Sequence, residues 1–429
     1  AKAGAYVLSK HSSNPTPTIL IGRDTRISGT LIESAMVAGF LSYGANVKIL
    51  GVLPTPGVAY LTKKLKADAS VVISASHNTY EFNGVKYFSN KGMKIPDELE
   101  EEIEEVMDSG KLDDFSAVNE KIGVSEIRTD LLDEYVYFFR KNFEEDFENL
   151  DMSNFVVAID TANGATSVVA EKVFSALGIK HYILNNTPNG TNINENCGST
   201  HLDVLKKYVV ENNCNLGIAY DGDGDRCLAV DEKGNEIDGD KLLAIFSNYM
   251  KEKGILKNDT LVATVMSNLG LKKYSEGNNI KFEETKVGDR YVLEKMLEKG
   301  YNLGGEQSGH IILLDYNPTG DGILTSLMLT KIILEKNVSA SKICDIIKIY
   351  PQVLINAKVS SDKKYDFDKD EEIKEEIAKL DKEFSGNGRV LIRPSGTEPL
   401  VRVMIEGTDK EYITTKAKEL AKLIEKKLN

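Results

Sequence analysis

A strand–helix alternation that starts afresh three times restricts this chain more than any other feature. It runs first through T-I-L-I-G (Thr18 to Gly22), the helical S-G-T-L-I-E-S-A-M-V-A-G-F-L-S-Y-G, N-V-K-I-L, a helical stretch near Tyr60 and A-S-V-V-I-S. Near Phe155 it begins again with F-V-V-A-I-D, a helix, G-I-K-H-Y-I-L, another helix and L-G-I-A-Y. Near Thr260 it returns as T-L-V-A-T-V, a helix, I-K-F-E-E-T, a helix and Y-N-L-G-G. Strands separated by helix-length segments predict parallel sheets with helices on their faces. Three such units of similar size predict an internal structural repeat. Within the first helix, Ser28 is the expected N-cap and Gly44 the expected C′ residue.

After Pro351 the pattern becomes strand (Val353 to Val359), charged helix, strand (Arg389 to Ile392), strand (Leu400 to Glu406) and helix, which predicts a small α+β domain. The 429 residues exceed what one core can organise. The opening A-K-A-G-A-Y-V-L-S-K has no initiator Met and reads as the last turns of a helix, so a segment is expected before it. The acidic run Asp97 to Asp108 reads as a solvated helix face.

Charge and cysteines narrow the partners. With 53 Lys and Arg against 66 Asp and Glu the net charge is −13, which disfavours nucleic acid and anionic membrane surfaces. Cys197, Cys214, Cys227 and Cys344 lack C-x-x-C spacing and read as plain thiols of a reducing compartment. No apolar run reaches a membrane span, and the expected location is the cytoplasm.

Four loops carry groups suited to chemistry. In S-A-S-H-N, Ser76 follows an apolar strand, where ligands gather in open parallel sheets. His77 points away from Ser76 in an extended chain and no G-x-S-x-G surrounds it, so a hydrolase pair is disfavoured. A hydroxyl able to carry a phosphoryl group remains, with Asn78, Gly84 and Lys86 nearby. Taken alone, the loop is also an ordinary polar turn. In D-G-D-G-D-R, Asp221, Asp223 and Asp225 crowd three carboxylates together, which calls for a cation, and oxygen-only ligands favour Mg²⁺ or Ca²⁺. An EF-hand is excluded because Arg226 stands at the obligatory glycine and strands flank the loop.

In G-G-E-Q-S-G-H, Glu306, Ser308 and His310 offer hydrogen-bonding groups of the kind that hold sugar hydroxyls, although a tight turn between strands would explain the glycines alone. In R-P-S-G-T-E-P-L-V-R, Arg393, Ser395, Gly396, Thr397 and Arg402 suit a nest for a dianionic phosphate, although a plain turn connecting two strands would also account for the stretch. S-A-S-K (Ser339 to Lys342) fits S-x-x-K but lacks its companion motifs and starts a helix.

Together with G-V-L-P-T-P-G-V-A-Y-L-T, C-G-S-T-H, V-M-S-N-L-G and V-G-D-R-Y-V, these loops resemble the α-D-phosphohexomutase superfamily over essentially the whole chain. The Gln307 form of the third loop is similar to the amino-sugar branch. The resemblance implies three α/β sandwich domains of similar, mixed or parallel sheets plus a C-terminal α+β domain around a central cleft. It implies a phosphoserine domain (1–128), a metal domain (129–231), a sugar domain (232–348) and a phosphate domain (349–429). Ser76 would be the phosphoserine, and one Mg²⁺ would be held by Asp221, Asp223, Asp225 and an oxygen of that phosphoserine. Glu306 and Ser308 would hold the sugar, and Arg393, Ser395, Gly396, Thr397 and Arg402 the distal phosphate. Lys86 and His310 would be acid/base groups, with Arg23, His77 and Arg226 lining the phosphoserine.

The implied reaction interconverts D-glucosamine 6-phosphate and D-glucosamine 1-phosphate through a 1,6-bisphosphate, toward UDP-N-acetylglucosamine and the cell wall. The expected partner is a small sugar phosphate, and the expected assembly a homodimer. Phosphomannomutase or phosphoglucomutase activity, a Mg²⁺-dependent sugar phosphatase and an inactive sugar-phosphate-binding protein stay open as alternatives. The chain departs from the family at Thr79 and Phe82, where a proline and an aspartate are usual, and lacks the customary first strand and T-D-G-V-R-G-type loop.

Overall fold

The computed structural model describes residues 1–10, 14, 16–395 and 398–429, in two compact units. The first comprises 1–266 and 279–346, the second 267–278 and 347–429.

Three sheets of the first unit repeat one plan. β1 (Thr18–Arg23), β2 (Asn46–Val52), β3 (Ala69–Ile73), β4 (Val85–Ser89) and β5 (Ser125–Ile127) are ordered β4-β3-β1-β2-β5. β6 (Val156–Asp160), β7 (Lys180–Leu184), β8 (Leu216–Tyr220), β9 (Cys227–Asp231) and β10 (Glu236–Ile237) are ordered β10-β9-β8-β6-β7. β11 (Thr260–Thr264), β12 (Lys281–Thr285), β13 (Leu303–Gly305) and β14 (Ile311–Leu313) are ordered β12-β11-β13-β14. In every case the first strand lies between the second and third and is parallel to both. The fourth returns antiparallel to the third. The turn from third to fourth strand is therefore the same place in each sheet. It spans 74–84, 221–226 and 306–310, and each span holds one of the loops singled out above.

The central strands β3, β8 and β11 are buried at all five positions. Continuous apolar runs rather than alternation are what a sheet covered on both faces requires. Ser70, a polar residue inside β3, is satisfied by Thr62, whose hydroxyl lies 2.6 Å from it. The helix Leu132–Glu148 turns Tyr135, Phe138, Phe139, Phe143 and Phe147 to one buried face, as their three- and four-residue spacing dictates. Phe138 packs on Tyr60 and Phe143 on Tyr316, with ring centroids 4.7 and 5.8 Å apart. One helix thereby bridges segments of the first and third repeats. Truncating a ring such as Phe139 to Ala is worth about 3–5 kcal/mol.

The second unit is an antiparallel sheet of β15 (Gln352–Lys358), β16 (Arg389–Pro394) and β17 (Leu400–Glu406) in the order β15-β17-β16. Helices Glu371–Phe384 and Lys410–Leu428 cover it, each started by an aspartate (Asp370, Asp409) that accepts from two N–H groups of the first turn. Ile373, Leu380, Ile413, Leu420 and Ile424 pack with Val401, Val403 and Ile405 as its core. The helix Leu269–Gly277, which the alternation pattern assigns to the third repeat, belongs to this unit. Asn268 donates to Tyr350 O at 2.9 Å and Leu269 N–H to the Glu406 carboxylate at 3.2 Å.

Other local expectations fare variously. Gly44 ends its helix at φ 105°, as foreseen, but that helix starts at Ile27, so Ser28 lies inside its first turn rather than capping it. Asp97–Asp108 is a helix in which Ile103 alone is buried. Ser339 caps the short helix Ala340–Cys344. All four cysteines are buried free thiols. No helix among the described residues is long and apolar enough to cross a membrane.

Candidate active site

Two of the three equivalent turns meet at Ser76. Its Oγ donates to Asp221 Oδ2 at 2.6 Å. Gly222 permits the approach, because a Cβ there would stand 2.6 Å from the Ser76 carbonyl oxygen. His77 is on the exposed side of the turn, and partial burial together with the Arg226 cation holds its imidazole below its usual value. The serine's neighbour is thus a carboxylate, against a Ser–His hydrolase pair.

The aspartates form a buried acidic cluster. Asp221, Asp223 and Asp225 each present an oxygen within 4.8 Å of the others. Burial and the other two carboxylates push Asp221 well above the ordinary range. Burial opposes ionisation of Asp225 too, but Lys86, His310 and Arg226 outweigh it and hold that carboxyl well below the ordinary range. Lys86 Nζ sits 2.6 Å from Asp223 Oδ2 and 3.7 Å from Asp225 Oδ2; burial disfavours its charge, and those carboxylates raise its pKa nonetheless.

The cluster fits a divalent cation on one further ground. Asp223 Oδ1 and Asp225 Oδ1 are buried and have no hydrogen-bond partner among the described residues. Buried carboxylate oxygens without donors are costly, and a hard cation with oxygen ligands relieves that cost.

Several groups that hold this turn are invisible to motif reading. Thr55 donates its N–H to Asp223 O at 2.9 Å and its hydroxyl to Asp223 Oδ2 at 2.6 Å. Gly322 N–H donates to Gly224 O at 3.0 Å, and Cys227 N–H to Gly309 O at 3.0 Å, which ties the second turn to the third. Asn194 and Arg26 grip the first turn. L-P-T-P and G-R-D-T-R are the only sequence signals for Thr55 and Arg26, and neither shows which way a side chain faces.

In the third turn, Glu306 accepts from Gly288 N–H (3.1 Å) and from the Ser308 hydroxyl (3.3 Å). His310 is 3% exposed and lies behind Asp225, with Nδ1 3.6 Å from Asp225 Oδ2 and Nε2 3.5 Å from Asp289 Oδ2. Gly320 N–H donates to Nε2 at 3.0 Å, which leaves the ring proton of the neutral imidazole on Nδ1, facing Asp225. Arg23 turns to Glu33 (3.1 Å) and to the Asp24 carbonyl rather than toward Ser76. Arg226 donates its N–H to Asp221 Oδ1 at 3.1 Å.

The second unit holds the fourth loop. Arg393 and Arg402 are directly opposed on β16 and β17, where like charges repel. Burial and Arg402 lower the pKa of Arg393. Each has a buried Nε–H with no acceptor among the described residues. Ser395 is buried, and its hydroxyl accepts from Glu398 N–H at 3.3 Å. Gly396 and Thr397 lie outside the described residues.

Comparison with known proteins accords with this arrangement. The phosphoglucosamine mutase of Ruminiclostridium cellulolyticum is 52% identical over 428 residues, covering 100% of this chain and 94% of the relative. Residues 1–114, 133–234 and 238–350 match alpha/beta/alpha domains I, II and III of phosphoglucomutase/phosphomannomutase, and 354–423 its C-terminal domain. The chain belongs to the phosphoglucomutase/phosphomannomutase family. A second relative in that family, the phosphoglucosamine mutase of Clostridium acetobutylicum, is 52% identical over 432 residues, 100% of this chain and 94% of its own. The family fold is also that of a phosphoglucomutase/phosphomannomutase family protein from Burkholderia thailandensis (TM-score 0.79, 21% identity, 98% and 93% of the two chains). It recurs in the N-acetylphosphoglucosamine mutase of Aspergillus fumigatus solved with GlcNAc-6P and magnesium (TM-score 0.65, 17% identity, 87% and 93%). The chain is an enzyme of the phosphohexomutase type.

Proposed function

We propose that this enzyme interconverts D-glucosamine 6-phosphate and D-glucosamine 1-phosphate, with Ser76 as the phosphoryl carrier and a 1,6-bisphosphate as intermediate. The observation that carries the reading is the juxtaposition of Ser76 Oγ, 2.6 Å from Asp221 Oδ2, with a cluster of three buried carboxylates, two of which (Asp223 and Asp225) keep an oxygen without a hydrogen-bond partner among the described residues. Relatives that share half the sequence over the full length are phosphoglucosamine mutases, which favours the amino sugar over mannose or glucose phosphates.

In this reading Asp221, Asp223, Asp225 and Ser76 hold one Mg²⁺, which supplies neutralisation of charge on the phosphoryl oxygens. Lys86 adds a second positive charge beside the same carboxylates and acts as an acid toward the serine oxygen. His310 keeps Asp225 oriented, His77 and Arg226 face the phosphoryl group, and Arg23 acts indirectly. Glu306 and Ser308 take the sugar hydroxyls. Arg393, Ser395 and Arg402, with Gly396 and Thr397, take the phosphate that does not react. The segments 1–128, 129–231, 232–348 and 349–429 then contribute serine, metal, sugar and phosphate sites in turn.

The test offers glucosamine 6-phosphate, mannose 6-phosphate and glucose 6-phosphate with Mg²⁺ and a bisphosphate activator. The highest kcat/KM is expected for glucosamine 6-phosphate, together with an intact mass one phosphate above that of Ser76→Ala. Release of inorganic phosphate without isomerisation, or full activity in Ser76→Ala, overturns the proposal.

A further inference from the structure

By volume, Arg26 is the largest side chain fully buried among the described residues. A guanidinium is tolerated in such a place only when its donors are matched, and all five are. Nε donates to Asp24 Oδ2 at 2.8 Å. One terminal nitrogen donates to the carbonyl oxygens of Thr79 and Phe82, the latter at 3.0 Å. The other donates to those of Ser76 (2.9 Å) and Asn78 (2.7 Å). Four of the five acceptors are main-chain oxygens of the turn that carries Ser76. Arginine alone offers five donors in one rigid plane.

Asp24 also governs the other side of the serine. Its Oδ2 accepts from the Ser74 hydroxyl at 2.6 Å, and Ser74 Oγ accepts from Ser76 N–H at 2.9 Å. Asn194 Nδ2 gives the Ser76 and Asn78 carbonyls a second donor, each at 2.8 Å. Both polar groups of the Ser76 main chain are thus held, and its φ of 52° is one that non-glycine residues seldom adopt without such support. Rotation about Cα–Cβ is the freedom left, and it moves Oγ alone.

We propose that Arg26 is a positioning residue for phosphoryl transfer, fixing the backbone of Ser76 so that only its hydroxymethyl group moves between attack and release. This rests on the reading of Ser76 as the phosphoryl carrier. In-line transfer is sensitive to misplacement of about 1 Å, at a cost of about 10²-fold in rate. Because the clamp reads carbonyl oxygens and not side chains, it also explains how the turn accepts Thr79 and Phe82 where the family usually has proline and aspartate.

The test compares Arg26→Lys and Asn194→Ala with the wild-type enzyme. Four quantities are measured: steady-state kcat and KM for glucosamine 6-phosphate, the rate at which glucose 1,6-bisphosphate phosphorylates Ser76 (by intact mass), Mg²⁺ affinity, and hydrogen exchange over residues 74–84. For Arg26→Lys, kcat per phosphorylatable serine is expected to fall about 100-fold. Serine phosphorylation should slow in step, exchange of the turn should accelerate at least about 10-fold, and KM and Mg²⁺ affinity should stay within about threefold. Asn194→Ala, which keeps the buried Asp24–Arg26 pair, should show the same pattern with a fall of about 10-fold. A merely structural role would reduce the amount of folded protein and leave kcat per phosphorylatable serine unchanged. That outcome, or a loss confined to KM, overturns the proposal; if Arg26→Lys does not fold, Asn194→Ala decides. A wild-type enzyme that isomerises no hexose phosphate removes the proposed function and this inference with it. An active wild type matched in kcat by its folded variants removes the inference alone.

Discussion

The turn at Asp221–Arg226 and the turn at Arg393–Arg402 are both built to meet charge, yet they are finished to different degrees. The acidic turn carries its own counter-charges and braces: Lys86 and Arg226 beside the carboxylates, Thr55 on Asp223, and Gly322 on the main chain. What it lacks among the described residues is hydrogen-bond partners for two carboxylate oxygens, on Asp223 and Asp225, and for Arg226 Nε. The basic turn sets two guanidiniums against each other across a strand pair; Arg402 reaches Glu398 at 3.5 Å, yet neither buried Nε–H has an acceptor among the described residues. A small cation needs a rigid oxygen cage, so the protein completes that cage in advance. A phosphate brings two negative charges and several acceptors, so the protein presents donors and leaves their pairing to the ligand.

The contrast is broken most severely at the metal turn. Asp223→Asn should lower kcat by about 10³-fold and weaken Mg²⁺ binding in calorimetric titration, while KM for the sugar phosphate changes little. At the other turn, Arg393→Ala removes a charged hydrogen-bonding group worth about 1.5–3 kcal/mol. KM should rise about 10–100-fold with Mg²⁺ affinity unchanged; a parallel loss of metal binding would show that the two turns are not independent. Thr55→Val tests whether the bracing matters by itself. Losing one outer hydrogen bond to a ligand should weaken Mg²⁺ binding about 10-fold, and an unaltered affinity would reduce Thr55 to a packing residue. Phe82→Asp should have the smallest effect. That side chain is 60% exposed, and the turn holds Phe82 through its main chain, its carbonyl by Arg26 and its N–H by the Thr79 carbonyl, so kcat should stay within about twofold of the wild-type value in the same coupled assay.

Much of this could be read from the chain because it is local. The three aspartates sit within five residues, so their crowding indicated a cation, while Arg226 at the glycine position and the strands β8 and β9 on either side excluded an EF-hand. The α/β repeats were legible because buried parallel strands are continuous apolar runs, as in A-S-V-V-I and T-L-V-A-T. Contacts made across long separations were not legible. Thr55 meets Asp223 across 168 residues and Asn194 meets Ser76 across 118, and no local period records such pairings. Arg23 and Arg26 looked alike in G-R-D-T-R. Three residues apart and on opposite sides of a strand end, one turns to Glu33 and the other goes under the serine turn. The grouping of helix Leu269–Gly277 with the last sheet was hidden similarly, since helical propensity carries no information about which sheet it covers.

The shared place of the three turns, always between the third and fourth strand of a sheet, has a consequence for ancestry. If the sheets arose by copying one segment, each copy arrived with a vacant plot at the same address. Later specialisation then had to alter only a handful of neighbouring codons to make a carrier, an ion cage or a sugar grip. Helices and outer strands were left to diverge until the copies no longer looked alike as text. Common descent within this chain should therefore be sought by aligning the three sheets strand by strand and comparing what stands in that one gap.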